Sequence, residues 1–491
     1  MRTIRSFIER NLRTVELIPA FLIGMVFIWI HASTHPWNSD HLYFEAILRD
    51  LLSGSAALRE FHFSASTFFF PDSLIYLPLR LLTDNLGWVF LLFMIIQFSG
   101  LLLLIQHLAG QRGNSLFYCV STLAFFGLLD SQWFSILYPV HHGGQWIWGI
   151  LLISKLDPLR SGGRAAMINS SLLVSALVSS DLLFGFTGVG PYVLWSTWSA
   201  WRGRDWRRIR SIGIWGAATV LGILAAYFLF RWGTGSYFGW NKPLPGLILD
   251  RARSFVSDFF SLKSSIWMVL SFFYLIRIRK EPAGLLAHSA GLSIAAVVGT
   301  GVWASPENVR YIQPVSVAFV WAAGHWVTGL TSRVIRASIF VGLVILGLSQ
   351  AESASRKFLQ NPWAPPYLPS HACLDRFILE TGLSEGIGDY WSAKWLTFFS
   401  KSGARILQVT PEMEPHFWIN NHEWYRDFHP RFVIINFFSS SRIHPEEVRS
   451  LGQPSRIHSC SGFEIWVYPD GVIHLKDPTP PKHRNFQEFR S

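Results

Sequence analysis

Val15-Glu16-Leu17-Ile18-Pro19-Ala20-Phe21-Leu22-Ile23-Gly24-Met25-Val26-Phe27-Ile28-Trp29-Ile30 is an apolar run interrupted by one acid and one proline, and Trp37-Asn38-Ser39-Asp40-His41-Leu42-Tyr43 follows it closely. Such a run reads as a first membrane span. Arg2, Arg5, Arg10 and Arg13 precede it, and basic residues beside a span hold that end in the cytoplasm. Asp40 then falls just past the outer end of the first helix. A carboxylate there is neither a topology signal nor a core residue. An acid held at a membrane surface beside aromatic rings is a candidate for chemistry on a lipid-linked substrate, with Tyr43 as a substrate contact.

Composition agrees with a membrane solvent. Hydrophobic residues make up 50% of the chain and charged residues 15%, with mean hydropathy +0.29, whereas soluble enzymes carry nearer a quarter charged residues. The net charge of +11 suits nucleic acid or anionic lipid in principle. Its distribution argues otherwise, because the basic residues cluster in short loops between apolar segments. The 23 tryptophans suit membrane–water interfaces. The first apolar run lacks a small-residue cleavage site and is expected to be retained. Apolar spans read near 15–30, 86–108, 116–130, 144–154, 165–183, 186–200, 211–230, 264–276, 284–303, 312–330 and 337–350, about eleven in all. Alternating the loops across the bilayer puts Arg112, Lys155, Arg160, Arg164, Arg202, Arg204, Arg207, Arg208, Arg210, Arg277, Arg279, Lys280, Arg333 and Arg336 on the cytoplasmic side, as the positive-inside rule requires. The N-terminus is then inside and the C-terminal part outside. Nucleic acid is not needed to explain the charge.

Two outer regions are long. Loop 31–85 carries Leu42, Ala46, Ile47, Leu51 and Leu52 at helical spacing, an amphipathic helix expected in the interface. Gly54 would end it, and a second short helix is expected to start near Asp72, read as its cap. Residues 1–350 thus form a membrane domain. Asn361-Pro362-Trp363-Ala364-Pro365-Pro366 marks a linker over 351–366. A soluble domain follows over 367–475, with strands at Ala404 to Val409, Arg431 to Asn436 and Phe463 to Tyr468, and helices at Leu374 to Thr381, Asp389 to Ser400 and Asn421 to Phe428. The alternation predicts a small α/β domain. The tail 476–491 is polar and proline-bearing and reads as disordered. The fold class is a polytopic α-helical membrane protein with a C-terminal periplasmic α/β domain.

An inside N-terminus, an acid soon after the first span (Asp40 in Asn38-Ser39-Asp40-His41), Arg310-Tyr311 in Glu307-Asn308-Val309-Arg310-Tyr311-Ile312-Gln313-Pro314, and an outer α/β tail together resemble the type-C membrane glycosyltransferases. That group includes the protein mannosyltransferases and the aminoarabinose transferase of lipid A. The resemblance implies inverting transfer of a sugar from a polyprenyl-phosphate donor at the outer face of a bacterial inner membrane, with Asp40 as general base. The acceptor is a glycan, a lipid or a protein. Gly388-Asp389-Tyr390-Trp391-Ser392-Ala393-Lys394 is reminiscent of uncharacterised relatives and carries no assigned role; Trp391 and Lys394 read as packing plus a solvated charge, with substrate contact as the alternative. Many relatives carry two adjacent acids in the first outer loop, where His41 follows Asp40 here. A divalent metal therefore stays an open question.

The residues support the chemistry on their own terms. A carboxylate within reach of an acceptor hydroxyl can take its proton as the new bond forms, and inversion needs a single base opposite the leaving group. The departing lipid phosphate needs a fixed cation, and the planar fork of Arg310 suits it. Pro314 can help start the helix beyond, Glu307 can orient the guanidinium, and Tyr311 stands beside it. Pairing of Arg310 with Glu307 as a surface ion pair is the plainer alternative, as helix capping is for Asp40. His141 and His142 in Tyr138-Pro139-Val140-His141-His142-Gly143-Gly144 are further phosphate contacts, and the two glycines would let a substrate approach closely. A zinc site there lacks further ligands at recognisable spacing. Asp181, at the outer end of the fifth span, is costly to bury; it reads as a substrate contact or as a helix-end acid facing water. Cys119 is an inert apolar residue within a span. Cys373 and Cys460 could form a disulfide in an oxidising periplasm. A polymerase or ligase of lipid-linked glycans would share the phosphate site, and a transporter or flippase would instead show mid-span charges and an internal repeat.

Overall fold

The computed structural model describes residues 15–34, 39–53, 61–64, 66–110, 113–156, 164–234, 245–278, 281–299, 303, 306–360, 369–437, 439, 442–469 and 472–475. Residues 361–366 of the expected linker, the tail 476–491 and Arg2 to Arg13 lie outside them, whereas 351–360, expected as linker, continue the preceding helix to Gln360. Contacts divide the chain into two compact units, one of residues 1–34, 66–228 and 242–362, the other of 35–65, 229–241 and 363–491. The segment after the first apolar run therefore groups with the C-terminal residues.

The first unit is helical. Its helices are α1 (Ile18–Thr34), then, after α2 of the other unit (Tyr43–Ser53), α3 (Leu74–Leu82), α4 (Leu86–Ala109), α5 (Ser115–Leu128), α6 (Gly143–Leu156), α7 (Arg164–Ser180), α8 (Gly190–Arg202), α9 (Trp206–Thr234), α10 (Pro245–Ser261), α11 (Ser265–Ile278), α12 (Glu281–Gly299), α13 (Gln313–Gly329) and α14 (Arg333–Gln360). Every apolar segment read from the sequence is a helix. Capping sets two starts: Asn85 accepts from Trp88 N at 3.4 Å and Asn114 from Phe117 N at 2.9 Å. Helix α10 was not anticipated, because its charges hide an amphipathic pattern; Ile248–Ser261 and Ser265–Ile278 are bent by 101°. Among the described residues, two helices are long and apolar enough to cross a membrane by themselves, Leu86–Ala109 and Trp206–Ala225, or three if the bent pair is one span. Val120, Leu123, Val327 and Leu343 form a buried cluster with Ile23 and Phe27, where α1, α5, α13 and α14 meet. Leu22, Val26, Leu221, Phe273, Val341 and Ile345 are exposed, an apolar exterior that suits lipid as solvent.

The second unit is built on a five-stranded sheet. Its strands are β2 (Glu385–Asp389), β3 (Arg405–Val409), β5 (Phe432–Asn436), β6 (Arg456–Cys460) and β7 (Phe463–Val467), after β1 (Phe61–His62) and with β4 (Asn420–Asn421), which pair separately as a two-stranded ribbon. The sheet order is β3-β2-β5-β7-β6; β2 runs parallel to β3 and β5, and β7 antiparallel to β5 and β6. Alternate residues fill two cores. Ile406, Phe432, Ile434, Phe463 and Ile465 join Leu374 and Phe377 on one face, and Leu407, Val433, Ile435 and Trp466 join Tyr425 and Ile443 on the other. Besides α2, this unit has the helices α15 (Pro369–Thr381), α16 (Tyr390–Phe399) and α17 (Pro445–Arg449). The helix expected over 421–428 is only a turn at His422–Tyr425.

Strand β2 escaped the sequence because Gly386 and Gly388 lower strand preference. Packing requires the first of them: a Cβ on Gly386 would lie 2.1 Å from the Phe432 ring. Helix α2 has the expected amphipathic face. Leu42, Ala46 and Ile47 are buried, while Leu51 and Leu52 are exposed, so the face packs partly within its own unit. Cys373 and Cys460 are joined as a disulfide with Cα atoms 5.8 Å apart, tying α15 to β6.

Candidate functional site

In the first unit, three non-adjacent segments meet at a cleft lined by His142, Asp181, Arg310, Tyr311 and Gln313, with Trp146 among the apolar walls. His142 Nδ1 lies 2.7 Å from Asp181 Oδ2, so Nε2 is the nitrogen available to a ligand. Its ring stands 5.1 Å from that of Tyr311, and Arg310 donates to the Tyr311 hydroxyl at 3.2 Å. The guanidinium also lies over the Tyr311 ring at 5.1 Å. Arg310 rises from a tight turn, Pro306–Ile312, that leads into α13 with Pro314 in its first turn. Gln313 Nε2 donates to Ser135 Oγ at 2.6 Å, fastening that turn to the segment before His141.

Asp181 does not face water. It is 1% exposed, accepts from Ser66 Oγ at 3.0 Å and from Leu183 N at 3.1 Å, and so caps the turn after α7. His141, expected beside His142 as a phosphate contact, is buried edge-on to Tyr138 at 5.7 Å and is not a lining residue of the cleft. The side chain of Glu307 lies outside the described residues, so its orienting role is not represented.

Asp72 builds this site from behind. It is fully buried and accepts from Val140 N at 2.9 Å and from Gln97 Nε2 at 3.4 Å; the cap expected of it on α3 is not formed, since the N-cap there is Ser73. Burial, and next the nearby charge of Asp181, push its carboxyl up to about 7 against the lowering effect of the Val140 amide. A Cβ on Gly144 would lie 1.7 Å from Asp72 Oδ1, and one on Gly143 would lie 2.0 Å from the Ile136 carbonyl. The glycines expected to admit a substrate thus admit the protein's own chain. Phe68, Val140 and His142 hold left-handed backbone at φ of 54°, 66° and 66°, conformations that cost energy in non-glycine residues and gather at functional sites.

Asp40 belongs to the second unit. It is 8% exposed, and its carboxylate accepts from the Tyr390 hydroxyl; the neighbouring Ser39 hydroxyl donates to the Tyr390 carbonyl. The Asp40 carboxylate thus reaches α16, while its carbonyl accepts from the Tyr43 amide at the start of α2. Tyr43 is fully buried against Phe44 and Phe61, and burial raises its hydroxyl far above the usual range, with Ser64 opposing. That placement makes it a packing residue of the loop rather than a surface contact. Lys394, expected to be a solvated charge, is 3% exposed and donates to Gln408 Oε1. Its ammonium lies 5.1 Å from the Tyr390 ring centroid. Burial lowers it to about 7, and the Asp40 charge is what opposes that fall. Sequence reasoning missed both Tyr390 and Lys394 as neighbours of Asp40; their i,i+4 spacing places them on one helix face but says nothing of a partner 350 positions away.

Among the described residues, the single close group of three metal-type ligands is Cys373, His458 and Cys460, and the disulfide already uses both its sulfurs.

No protein-family model matches the chain, and no curated protein matches it. Solved structures do. ArnT from Cupriavidus metallidurans bound to undecaprenyl phosphate superposes with a TM-score of 0.52 at 12% identity, over 94% of this chain and 99% of that one. Its apo state gives 0.53 at 11% identity, over 94% and 100%. The chain shares the fold of these structures, the type-C membrane glycosyltransferase fold, with a helical unit and a small sheet domain.

Proposed function

We propose that this protein is an inverting glycosyltransferase that moves a sugar from a polyprenyl-phosphate donor to an acceptor at the outer face of the bacterial inner membrane. The observation that carries the proposal is the cleft where Arg310 and His142 stand together, braced by Tyr311 and Asp181. Support comes from the fold shared with ArnT over nearly the whole chain, in a structure that holds undecaprenyl phosphate. In this reading Arg310 and His142 Nε2 bind the phosphate of the donor. Two cationic or hydrogen-bonding groups on rigid turns favour the charge that grows as the phosphate leaves.

Asp40 serves as the base. As the acceptor oxygen attacks the anomeric carbon, its proton passes to the Asp40 carboxylate. The bond from that carbon to the phosphate oxygen breaks, and polyprenyl phosphate departs with the electron pair. One displacement inverts the anomeric centre. The Tyr390 hydroxyl holds the carboxylate in place through its hydrogen bond.

Asp40→Asn tests the reading, because it keeps size and hydrogen-bonding capacity while removing the base. Transfer measured in membranes of a strain lacking the gene, which carry the natural donor and acceptor, should fall by about 100-fold or more. Wild-type transfer by that variant would overturn the assignment.

A further inference from the structure

The second unit presents its most reactive groups where an open α/β sheet binds ligands. Strand β2 has parallel neighbours on both sides, β3 and β5. The chain leaves β2 through α16 toward β3, while β5 is placed on the opposite side. The crevice at the carboxyl ends of such strands is the topological switch point, the usual ligand position of this architecture. Asp389 ends β2 there and caps α16, accepting from Trp391 N at 2.9 Å, Ser392 Oγ at 2.7 Å and Ser439 Oγ at 2.6 Å. That capping sets the first turn of the helix, and so aims Tyr390 and, one turn on, Lys394.

The segment bearing Asp40 docks at this position. Ser39, Asp40 and His41 are all buried, and both Ser39 and Asp40 bond to Tyr390. Lys394 is fixed from the far side. Gln408 spends its amide nitrogen on two carbonyls, those of His416 at 2.7 Å and Trp418 at 2.6 Å, so its oxygen must face the ammonium. His416 packs 5.4 Å from the Tyr390 ring; burial and the Lys394 charge lower it to about 4, which keeps it neutral. The charged groups gathered at the crevice are then Asp40, Lys394 and Asp389, of which Asp389 is occupied by its three hydrogen bonds.

We propose that Tyr390 and Lys394 of the C-terminal domain are positioning residues for the transfer, Tyr390 orienting the Asp40 carboxylate and the Lys394 ammonium holding its charge. The domain is thus part of the catalytic apparatus rather than an appendage. This rests on the reading of Asp40 as the base. Since Lys394 sheds its proton near pH 7, the ammonium is present below that pH and lost above it. A rate that depends on it declines on the alkaline side.

The test is transfer by the full-length protein in membranes lacking the chromosomal gene, measured from pH 6 to pH 9. Wild type should lose rate as pH rises through about 7. Lys394→Met should lower turnover at pH 6.5 by about tenfold or more, leave the acceptor KM nearly unchanged, and remove the alkaline limb. Tyr390→Phe should lower turnover severalfold and keep that limb, and it decides the matter if the methionine variant unfolds. A purely structural lysine would not shape the pH profile. Wild-type turnover in both variants, or an alkaline limb unchanged in Lys394→Met, overturns the proposal while an inactive Asp40→Asn leaves the base intact. An active Asp40→Asn overturns the base reading and this proposal with it.

Discussion

His142 sits in left-handed backbone at φ 66°, two residues beyond Val140 in the same strained region, and Asp72 pays for that geometry by binding the Val140 amide. The strain aims one imidazole at the cleft and turns its neighbour, His141, inward. No periodicity in the sequence distinguishes two adjacent histidines, so only the folded loop could separate them. Arg310 was a candidate from sequence for the opposite reason: it precedes a proline-started helix, with an aromatic residue next in sequence. The role proposed for it predicts a graded loss. Arg310→Lys keeps the charge but not the fork, and should weaken binding of undecaprenyl phosphate by about tenfold, whereas Arg310→Ala should weaken it by about 100-fold. Calorimetry or a fluorescent-lipid assay on the purified protein checks this, and equal affinity in all three forms would remove Arg310 from the phosphate site.

Elements divide by how local their signal is. Helices such as Leu86–Ala109 and Ser115–Leu128 were readable because apolar runs bounded by Asn caps need no distant partner. Strand β3, β5 and β7 were readable through their Ile, Val and Phe content. Strand β2 was not, since its glycines answer to the Phe432 ring on another strand. Strand β6, edge-placed and largely exposed, carries no hydrophobic alternation for the same lack of two packed faces. It is held instead by the disulfide from α15, whose cysteines are 87 positions apart. Closing a loop of that length restricts the unfolded chain, so Cys373→Ala should cost about 4 kcal/mol of stability in the second unit. Denaturant titration of the full-length protein followed by hydrogen exchange over 369–381 and 456–467 measures it; exchange as slow as wild type would contradict the estimate.

At the scale of the molecule, the second unit is discontinuous. Residues after the first apolar helix supply β1, which pairs with β4, and Asp50, whose carboxylate accepts from Asn421 Nδ2 at 2.8 Å and from Trp424 Nε1 at 2.7 Å. A fragment of residues 363–475 alone would leave these donors without their acceptor. Its amides near 390–394 and 420–425 should exchange at least tenfold faster than in the whole protein, a loss of about 1.4 kcal/mol or more of local stability; equal protection would show that the domain is self-sufficient. The sequence by itself determined the apolar helical segments and the C-terminal α/β pattern, and singled out Asp40 and Arg310 as candidates. These depend on apolar runs, charge placement and lone polar residues, all properties of contiguous chain. Only the tertiary structure decided that Asp40 answers to Tyr390 and Lys394 some 350 residues away, that Asp181 braces His142, and that two glycines make room for Asp72 and a carbonyl. Burial and partnership across such separations are properties of packing, which no local pattern records.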